Sequence, residues 1–138
     1  NFVVIRGKRH IIPGDLVRVE EDGFIELLGR GATVVNSGGE KIYPAEVEET
    51  LLAYPGVEDA VVFGIPDPRW GEVVAAVVAA DDPAALDVAA LAEHVGTHLA
   101  GYKKPRRVLV VKDLERSPTG KVDLAVVRER TTREGVAV

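Results

Sequence analysis

The stretch Gly29–Glu48, GRGATVVNSGGEKIYPAEVE, is the part of the chain that decides the fold. It follows an apolar strand, continues through the β-type run Thr33–Val35, and turns at the glycine pair Gly38-Gly39. Pro44 then stands at the first position of a helix, where the fixed φ of proline is already helical and its missing N–H leaves no bond unmade. The stretch therefore marks a change from hairpins to alternating strands and helices.

Two hairpins are predicted before this stretch, over residues 2–12 and 16–28, and an Asp22-Gly23 turn closes the second. Two small hairpins do not enclose a hydrophobic core. We therefore expect residues 1–29 to be the last part of a large domain, most of which lies outside this sequence.

Three strands and three helices are predicted after Gly29. The strands cover residues 57–65, 73–80 and 108–111, and the helices cover residues 46–54, 88–99 and 123–131. The strands are largely apolar and alternate with helical segments, which indicates an α+β domain with a three-stranded sheet and flanking helices. This small domain is expected to span residues 30–138.

Composition narrows the functional classes. The 138 residues carry a net charge of −5, which argues against general binding to nucleic acid or to anionic membranes. The chain has no Cys, so disulfides, thiolate metal sites and a cysteine nucleophile are excluded. It also lacks a signal-peptide pattern and any apolar run of about 18 residues, so a cytoplasmic protein without a transmembrane segment is expected. The absence of Met indicates a piece of a longer polypeptide.

The loop Ser117–Lys121, SPTGK, is the strongest candidate for chemistry. A Lys beside a Gly presents an ammonium group next to accessible backbone, which suits contact with a phosphate or carboxylate. Glu115 stands where a Walker A loop has its first Gly, so this is a different kind of loop. An ordinary turn accounts for the same residues.

Aromatic and basic side chains form a second candidate site. The run Tyr102–Arg107, YKKPRR, and the single tryptophan, Trp70, could hold an aromatic base by stacking and its phosphates by charge. A solvated helix end, whose cations complement the helix dipole, is the alternative for the basic run.

Two pairs of polar residues remain. Asp15 follows a Pro-Gly turn, and a carboxylate held in this way can accept hydrogen bonds from both hydroxyls of a ribose; Arg30 follows one hairpin later. A lone Asp in a turn is also a common structural residue. His94 and His98 have the spacing of a helical metal pair, but no Cys or acidic residue accompanies them, so no metal site is predicted.

The motifs together resemble the C-terminal part of the acyl-adenylate-forming enzymes, which include acyl-CoA synthetases, luciferase-like ligases and peptide-synthetase adenylation domains. The similarity is greatest to fatty-acyl-CoA synthetases. It extends from about Pro13 to Arg130 and rests on motifs in the family's order: Pro13-Gly14-Asp15, Gly29-Arg30, Gly38–Lys41, Pro44–Glu48 and Pro118–Lys121.

The resemblance implies a two-step reaction. A large N-terminal domain would bind ATP, with Mg²⁺, and a carboxylic acid, most simply a fatty acid. A small C-terminal lid domain would cap it in one orientation to form acyl-AMP and pyrophosphate, and in a second orientation to admit CoA. The partners implied are the chain's own N-terminal domain, the acid, ATP and CoA. The isolated chain is expected to be inactive.

The resemblance also implies roles for particular residues. Asp15 and Arg30 would bind the nucleotide, and Lys121 would be the catalytic lysine of adenylation. Position 32 would be the hinge, where the family commonly has Asp or Lys and this chain has Ala32. The CoA contacts would come from Gly38, Gly39, Glu40, Trp70, Tyr102, Lys104 and Arg106.

Two alternatives remain open. An adenylating ligase could deliver its acyl group to a carrier-protein thiol or an amine, although the cluster at Trp70 favours free CoA. A binding module without catalysis is the other alternative.

Overall fold

The computed structural model describes residues 2–11, 15–30 and 33–138. Its first part is two separate antiparallel hairpins. In one, β1 (Phe2–Ile5) pairs with β2 (Lys8–Ile11), and in the other, β3 (Asp15–Val19) pairs with β4 (Ile25–Arg30). Both predicted hairpins are confirmed.

The hairpins are exposed to solvent. All residues in the ranges 3–11 and 15–27 are exposed, and the exposed fraction reaches 83% at Ile11 and 75% at Phe24. Their large apolar residues are Val3, Val4, Ile5, Ile11, Leu16, Val17, Val19, Phe24, Ile25 and Leu27. A concentration of exposed apolar residues of this kind is typical of regions that another protein surface covers.

The remaining strands form one mixed sheet of six strands. They are β5 (Val35–Ser37), β6 (Glu40–Ile42), β7 (Asp59–Asp67), β8 (Gly71–Ala79), β9 (Arg107–Val111) and β10 (Val136–Ala137). Strand β8 lies at the centre, antiparallel to β7 along its whole length and parallel to β9. Strand β5 joins β8 only at the pair Ser37–Gly71, and this contact brings the Gly38-Gly39 turn to the start of β8.

The predicted α+β class and its three principal strands are confirmed, but the predicted number of three strands was too small. Strands β5, β6 and β10 are two or three residues long, too short for a clear alternation of apolar and polar residues. Strands β7 and β8 follow each other through a tight turn at residues 68–70, in agreement with the predicted strands 57–65 and 73–80, between which no helix was predicted.

Three helices pack against the sheet: α1 (Pro44–Leu52), α2 (Val88–His98) and α3 (Leu124–Glu134). The predicted proline at the start of α1 is confirmed. The carboxylates of Asp87 and Asp123 accept hydrogen bonds from the first-turn N–H groups of α2 and α3, which satisfies donors that a helix leaves unpaired. Short 3₁₀ turns lie at Pro83–Ala85 and Gly101–Lys103.

The sheet has a hydrophobic core on each face, because side chains of β8 alternate between the faces. One core combines Val74, Ala76 and Val78 with α1 and α2, and it includes Val47, Leu51, Leu91 and Val95. The other combines Val73, Ala75 and Val77 with β9 and the inner side of α3. No helix in the described residues is long and apolar enough to cross a bilayer.

Candidate functional site

A cleft with a volume of about 350 Å³ opens beside the tryptophan, and we call it the Trp70 cleft. Three connections converge on it: the β5–β6 turn, the β7–β8 turn and the segment before β9. Its lining residues are Ser37, Gly38, Glu40, Trp70, Val73, Tyr102 and Arg106. The fold therefore brings together five of the seven predicted CoA contacts, although they lie up to 68 residues apart in the sequence (106 − 38 = 68).

The position of Trp70 depends on its neighbours. The carboxylate of Asp67 accepts the N–H groups of Arg69 and Trp70 at 2.8 and 2.9 Å. The N–H of Gly38 donates to the carbonyl of Trp70 at 2.8 Å, and the Arg69 guanidinium lies 4.7 Å from the indole centroid. Trp70 remains 43% exposed, which leaves aromatic surface for a ligand.

Gly38 is required where it contacts the indole. Its φ is +57°, and a Cβ at this position would lie 2.8 Å from Cε3 of Trp70. Gly39 also has a positive φ, of +89°, but a Cβ there would meet nothing within 4 Å. A side chain at Gly39 would therefore cause backbone strain alone, whereas one at Gly38 would cause backbone strain and a steric conflict with Trp70.

We expect Gly38→Ala to destabilise the chain more than Gly39→Ala. Both substitutions place a Cβ at positive φ, at a cost of about 1 kcal/mol or more. Only Gly38→Ala also forces the indole to move, and overpacking of this kind costs about 1–3 kcal/mol in addition. Thermal unfolding measures the difference, and equal losses of Tm would contradict the contact between Gly38 and Trp70.

The predicted basic run divides into separate roles. Arg106 lines the Trp70 cleft. The ammonium of Lys103 lies 2.7 Å from the Glu46 carboxylate on α1, and that of Lys104 pairs with Glu93 on α2. Lys104, a predicted CoA contact, is therefore not among the lining residues and is engaged in an ion pair.

A second cleft, of about 500 Å³, lies between the start of α1, strand β7 and the loop Ser117–Lys121. We call it the Lys121 cleft. Its lining residues are Thr33, Pro44, Ala45, Glu48, Val61, Val62, Arg116, Gly120, Lys121, Val122 and Leu124. Lys121 itself is exposed, and across the described ranges its ammonium makes no ion pair.

Three charged residues surround the base of this loop. The guanidinium of Arg116 binds both carboxylate oxygens of Asp59, at 2.7 and 2.8 Å, and these hydrogen bonds lower the pKa of Asp59. Burial raises the pKa of the Glu48 carboxyl, although its Oε1 accepts the N–H of Val62 at 2.9 Å. Sequence spacing gives no sign of this group, because Asp59 and Arg116 lie 57 residues apart.

The raised pKa of Glu48 predicts a pH-dependent effect of Glu48→Gln. Between the unfolded and folded pKa values the folded chain binds more protons at this site than the unfolded chain, so wild-type stability falls as the pH rises. Gln cannot ionise, yet its carbonyl can still accept from Val62. The Tm of Glu48→Gln relative to wild type should therefore be higher at pH 7 than at pH 4.

Glu49→Gln is the matched control, because it removes an exposed carboxylate from the same helix. If both variants show the same change in relative Tm between pH 4 and pH 7, burial of Glu48 is not the cause.

The predicted nucleotide residues Asp15 and Arg30 are partners across the second hairpin, since the register of β3 and β4 sets them opposite each other. This places two residues that are 15 positions apart side by side (30 − 15 = 15). Residues 12–14 and the predicted hinge Ala32 lie outside the described residues.

His94 and His98 have local hydrogen-bond partners. Nε2 of His94 lies 3.1 Å from the carbonyl of Thr50, and Nδ1 of His98 lies 2.8 Å from the carbonyl of His94. Their ring centroids are 4.3 Å apart. In the part of the chain that the structure describes, no group of three metal-binding side chains occurs.

Comparison with protein families defines the class. The model of the AMP-binding enzyme C-terminal domain matches residues 46–121, and the chain belongs to this family. The resemblance inferred from its motifs is thereby confirmed.

Individual relatives are more specific. The chain is 49% identical over 130 residues to the medium/long-chain-fatty-acid–CoA/3-oxocholest-4-en-26-oate–CoA ligase of Mycobacterium tuberculosis (strain ATCC 25618 / H37Rv), a match that covers 94% of this chain and 24% of that protein. It is 48% identical to the medium-chain acyl-CoA ligase Mig of Mycobacterium avium, with the same coverage of 94% and 24%. The chain thus spans 24% of the length of these curated relatives.

Solved structures give the same class. The Mycobacterium tuberculosis fatty acyl CoA synthetase is similar with a TM-score of 0.73 and 38% identity, over 87% of this chain and 24% of that chain. The amide bond synthetase McbA from Marinactinospora thermotolerans is similar with a TM-score of 0.80 and 35% identity, over 92% of this chain and 26% of that chain.

Proposed function

We propose that this chain is the C-terminal lid of an ATP-dependent fatty-acyl-CoA synthetase. The full enzyme would convert a fatty acid, ATP and CoA into acyl-CoA, AMP and pyrophosphate through an acyl-adenylate. The observation that carries the proposal is that one small domain holds two different clefts, one with an exposed lysine on an anchored loop and one with an exposed indole beside a guanidinium. Among the described residues the two clefts share no lining residue.

The Lys121 cleft suits the first step. A carboxylate oxygen of the fatty acid attacks the α-phosphorus of ATP, the bond to pyrophosphate breaks, and acyl-AMP forms. Negative charge increases on the oxygens around phosphorus, where an ammonium group from Lys121 is most effective. Mg²⁺ enters with ATP, and its protein ligands are expected on the large domain.

The Trp70 cleft suits the second step. The CoA thiol loses its proton and attacks the acyl carbonyl, the bond to AMP breaks, and the thioester forms. The exposed indole can stack on the adenine of CoA, and Arg106 can bind its phosphates. Gly38 and Gly39 would line the passage for the pantetheine chain. Because glycine has no Cβ, this chain can approach their backbone closely.

The hairpins provide the link to the large domain. Their exposed apolar surface supports the assignment of residues 1–29 to that domain and residues 30–138 to the lid. Asp15 and Arg30, paired across the second hairpin, would bind the nucleotide at the boundary, and Ala32 would be the hinge. ATP and CoA are supplied in the cytoplasm, so the proposal places the enzyme there.

A second candidate keeps the adenylate but transfers the acyl group to an amine or a carrier-protein thiol. The structural similarity to an amide bond synthetase supports it. The Trp70 cleft favours free CoA, because an indole beside a guanidinium serves a nucleotide, which neither an amine nor a carrier-protein thiol carries.

The direct test is product analysis with the full-length protein. With ATP, decanoate or palmitate, and CoA, we expect AMP, pyrophosphate and consumed thiol in equal amounts, and no AMP when the acid is omitted. Formation of ADP and phosphate would contradict the proposal. Consumption of an added amine in place of the thiol would establish the second candidate.

A further inference from the structure

The backbone N–H and carbonyl groups of Gly120 and Lys121 all have hydrogen-bond partners. The N–H of Lys121 donates to Oγ of Ser117 at 3.1 Å, and its carbonyl accepts the N–H of Ser117 at 2.8 Å. The N–H of Gly120 donates to the carbonyl of Ser117 at 2.8 Å, and the Gly120 carbonyl accepts Nη1 of Arg116 at 2.9 Å. The loop is therefore an ordered turn from which one ammonium group projects.

Arg116 is the side chain that attaches this turn to the sheet. In addition to the Gly120 carbonyl, its guanidinium donates to both carboxylate oxygens of Asp59 and to the carbonyl of Ala60, the last at 3.2 Å. Asp59 and Ala60 are the first two residues of β7, a nine-residue strand that pairs with β8 along its whole length. A planar guanidinium can make these contacts simultaneously with fixed geometry, whereas an ammonium group cannot.

We propose that Arg116, anchored by Asp59, is a positioning residue that sets the direction in which Lys121 leaves the loop. The Gly120 carbonyl and the Lys121 N–H belong to one peptide plane. Arg116 holds one side of that plane and Ser117 holds the other, so the plane cannot rotate without breaking both contacts. This inference rests on the proposed function, because it assigns Arg116 to the step that uses Lys121.

Position matters because the lysine must place a charge on the reacting phosphate. A displacement of about 1 Å at a reacting group can cost about 100-fold in rate. The guanidinium itself is directed at protein acceptors, so Arg116 acts through Lys121 and not on the substrate.

The test uses the full-length protein and three variants. Arg116→Ala should lower the rate of acid-dependent pyrophosphate–ATP exchange about 10- to 100-fold and leave thioester formation from synthetic acyl-AMP within about twofold. Arg116→Lys, which keeps the charge but not the fork, should lose less. Arg133→Ala is the matched control, since Arg133 pairs with the exposed carboxylates of Glu129 and Glu134 on its own helix, α3.

Double substitution separates positioning from an independent effect. If Arg116 acts only through Lys121, Arg116→Ala should cause no further loss of exchange in a Lys121→Ala background. A further loss of the same factor as in wild type would overturn the proposal. So would an unchanged exchange rate in Arg116→Ala while Lys121→Ala is impaired, a result that leaves the proposed function intact.

Hydrogen exchange gives a readout that does not depend on activity. Amides in residues 117–121 should exchange at least about tenfold faster in Arg116→Ala than in wild type, and at the wild-type rate in Arg133→Ala. If Arg116→Ala does not fold, Arg116→Lys carries the same test with a smaller increase. Unchanged exchange in a folded variant would show that Arg116 does not hold the loop, whether or not the enzyme is an acyl-CoA synthetase.

Discussion

Lys121→Ala in the full-length protein is expected to lower the adenylation rate by about 10²–10³, the usual cost of removing one preorganised donor from a transition state. Thioester formation from supplied acyl-AMP should persist within about twofold. The bond between the α-phosphate and pyrophosphate, where Lys121 acts, was broken earlier, when acyl-AMP formed. Pyrophosphate exchange measures the first half-reaction, and release of acyl-CoA from synthetic acyl-AMP measures the second.

The geometry explains why the loss should be specific to one step. Lys121 is exposed at the edge of its cleft and contributes no buried packing, so its removal should leave the fold unchanged. Lys112→Ala, which removes another exposed lysine from the same domain, is the matched control and should alter neither half-reaction. Equal damage to both half-reactions by Lys121→Ala would indicate a shared binding defect.

Trp70→Ala is expected to weaken the apparent affinity for CoA about 5- to 150-fold and to leave adenylation nearly unchanged. Stacking of a base on an aromatic side chain is worth about 1–3 kcal/mol, and every 1.4 kcal/mol is about tenfold in affinity. Trp70→Phe keeps an aromatic face and should recover part of the loss.

Leu52→Ala controls for the loss of apolar surface, because Leu52 is 46% exposed and Trp70 is 43% exposed. This control should leave the KM for CoA unchanged. An unchanged KM for CoA in Trp70→Ala, together with impaired pyrophosphate exchange, would contradict the assignment of the Trp70 cleft.

Sequence patterns predicted the parts of the fold that depend on local chemistry. Pro44 predicted the start of α1, and apolar runs predicted β7, β8 and β9, because burial in a central sheet leaves a clear mark on composition. The short strands β5, β6 and β10 were not predicted, because two or three residues are too few to show an alternation of apolar and polar positions. The pairing of β5 with β8 and of β10 with β9 also joins segments that are distant in the sequence.

In the candidate site, too, local sequence predicted some features and distant contacts set the others. The types of residue at Trp70, Arg106 and Lys121 indicated their chemistry, but not the partners of neighbouring charges. Lys103 and Lys104 pair with carboxylates on two helices, and Arg116 pairs with Asp59, the first residue of β7. Such pairs are set by tertiary packing, to which sequence spacing gives no guide.

We propose that one lid serves two successive steps with two different clefts. The most direct measurement compares Lys121→Ala and Trp70→Ala in both half-reactions of the full-length protein, each as a ratio of adenylation rate to thioester rate at subsaturating CoA. We predict that the ratio falls about 100-fold or more in Lys121→Ala and rises about fivefold or more in Trp70→Ala. A change in the same direction in both variants would contradict the account.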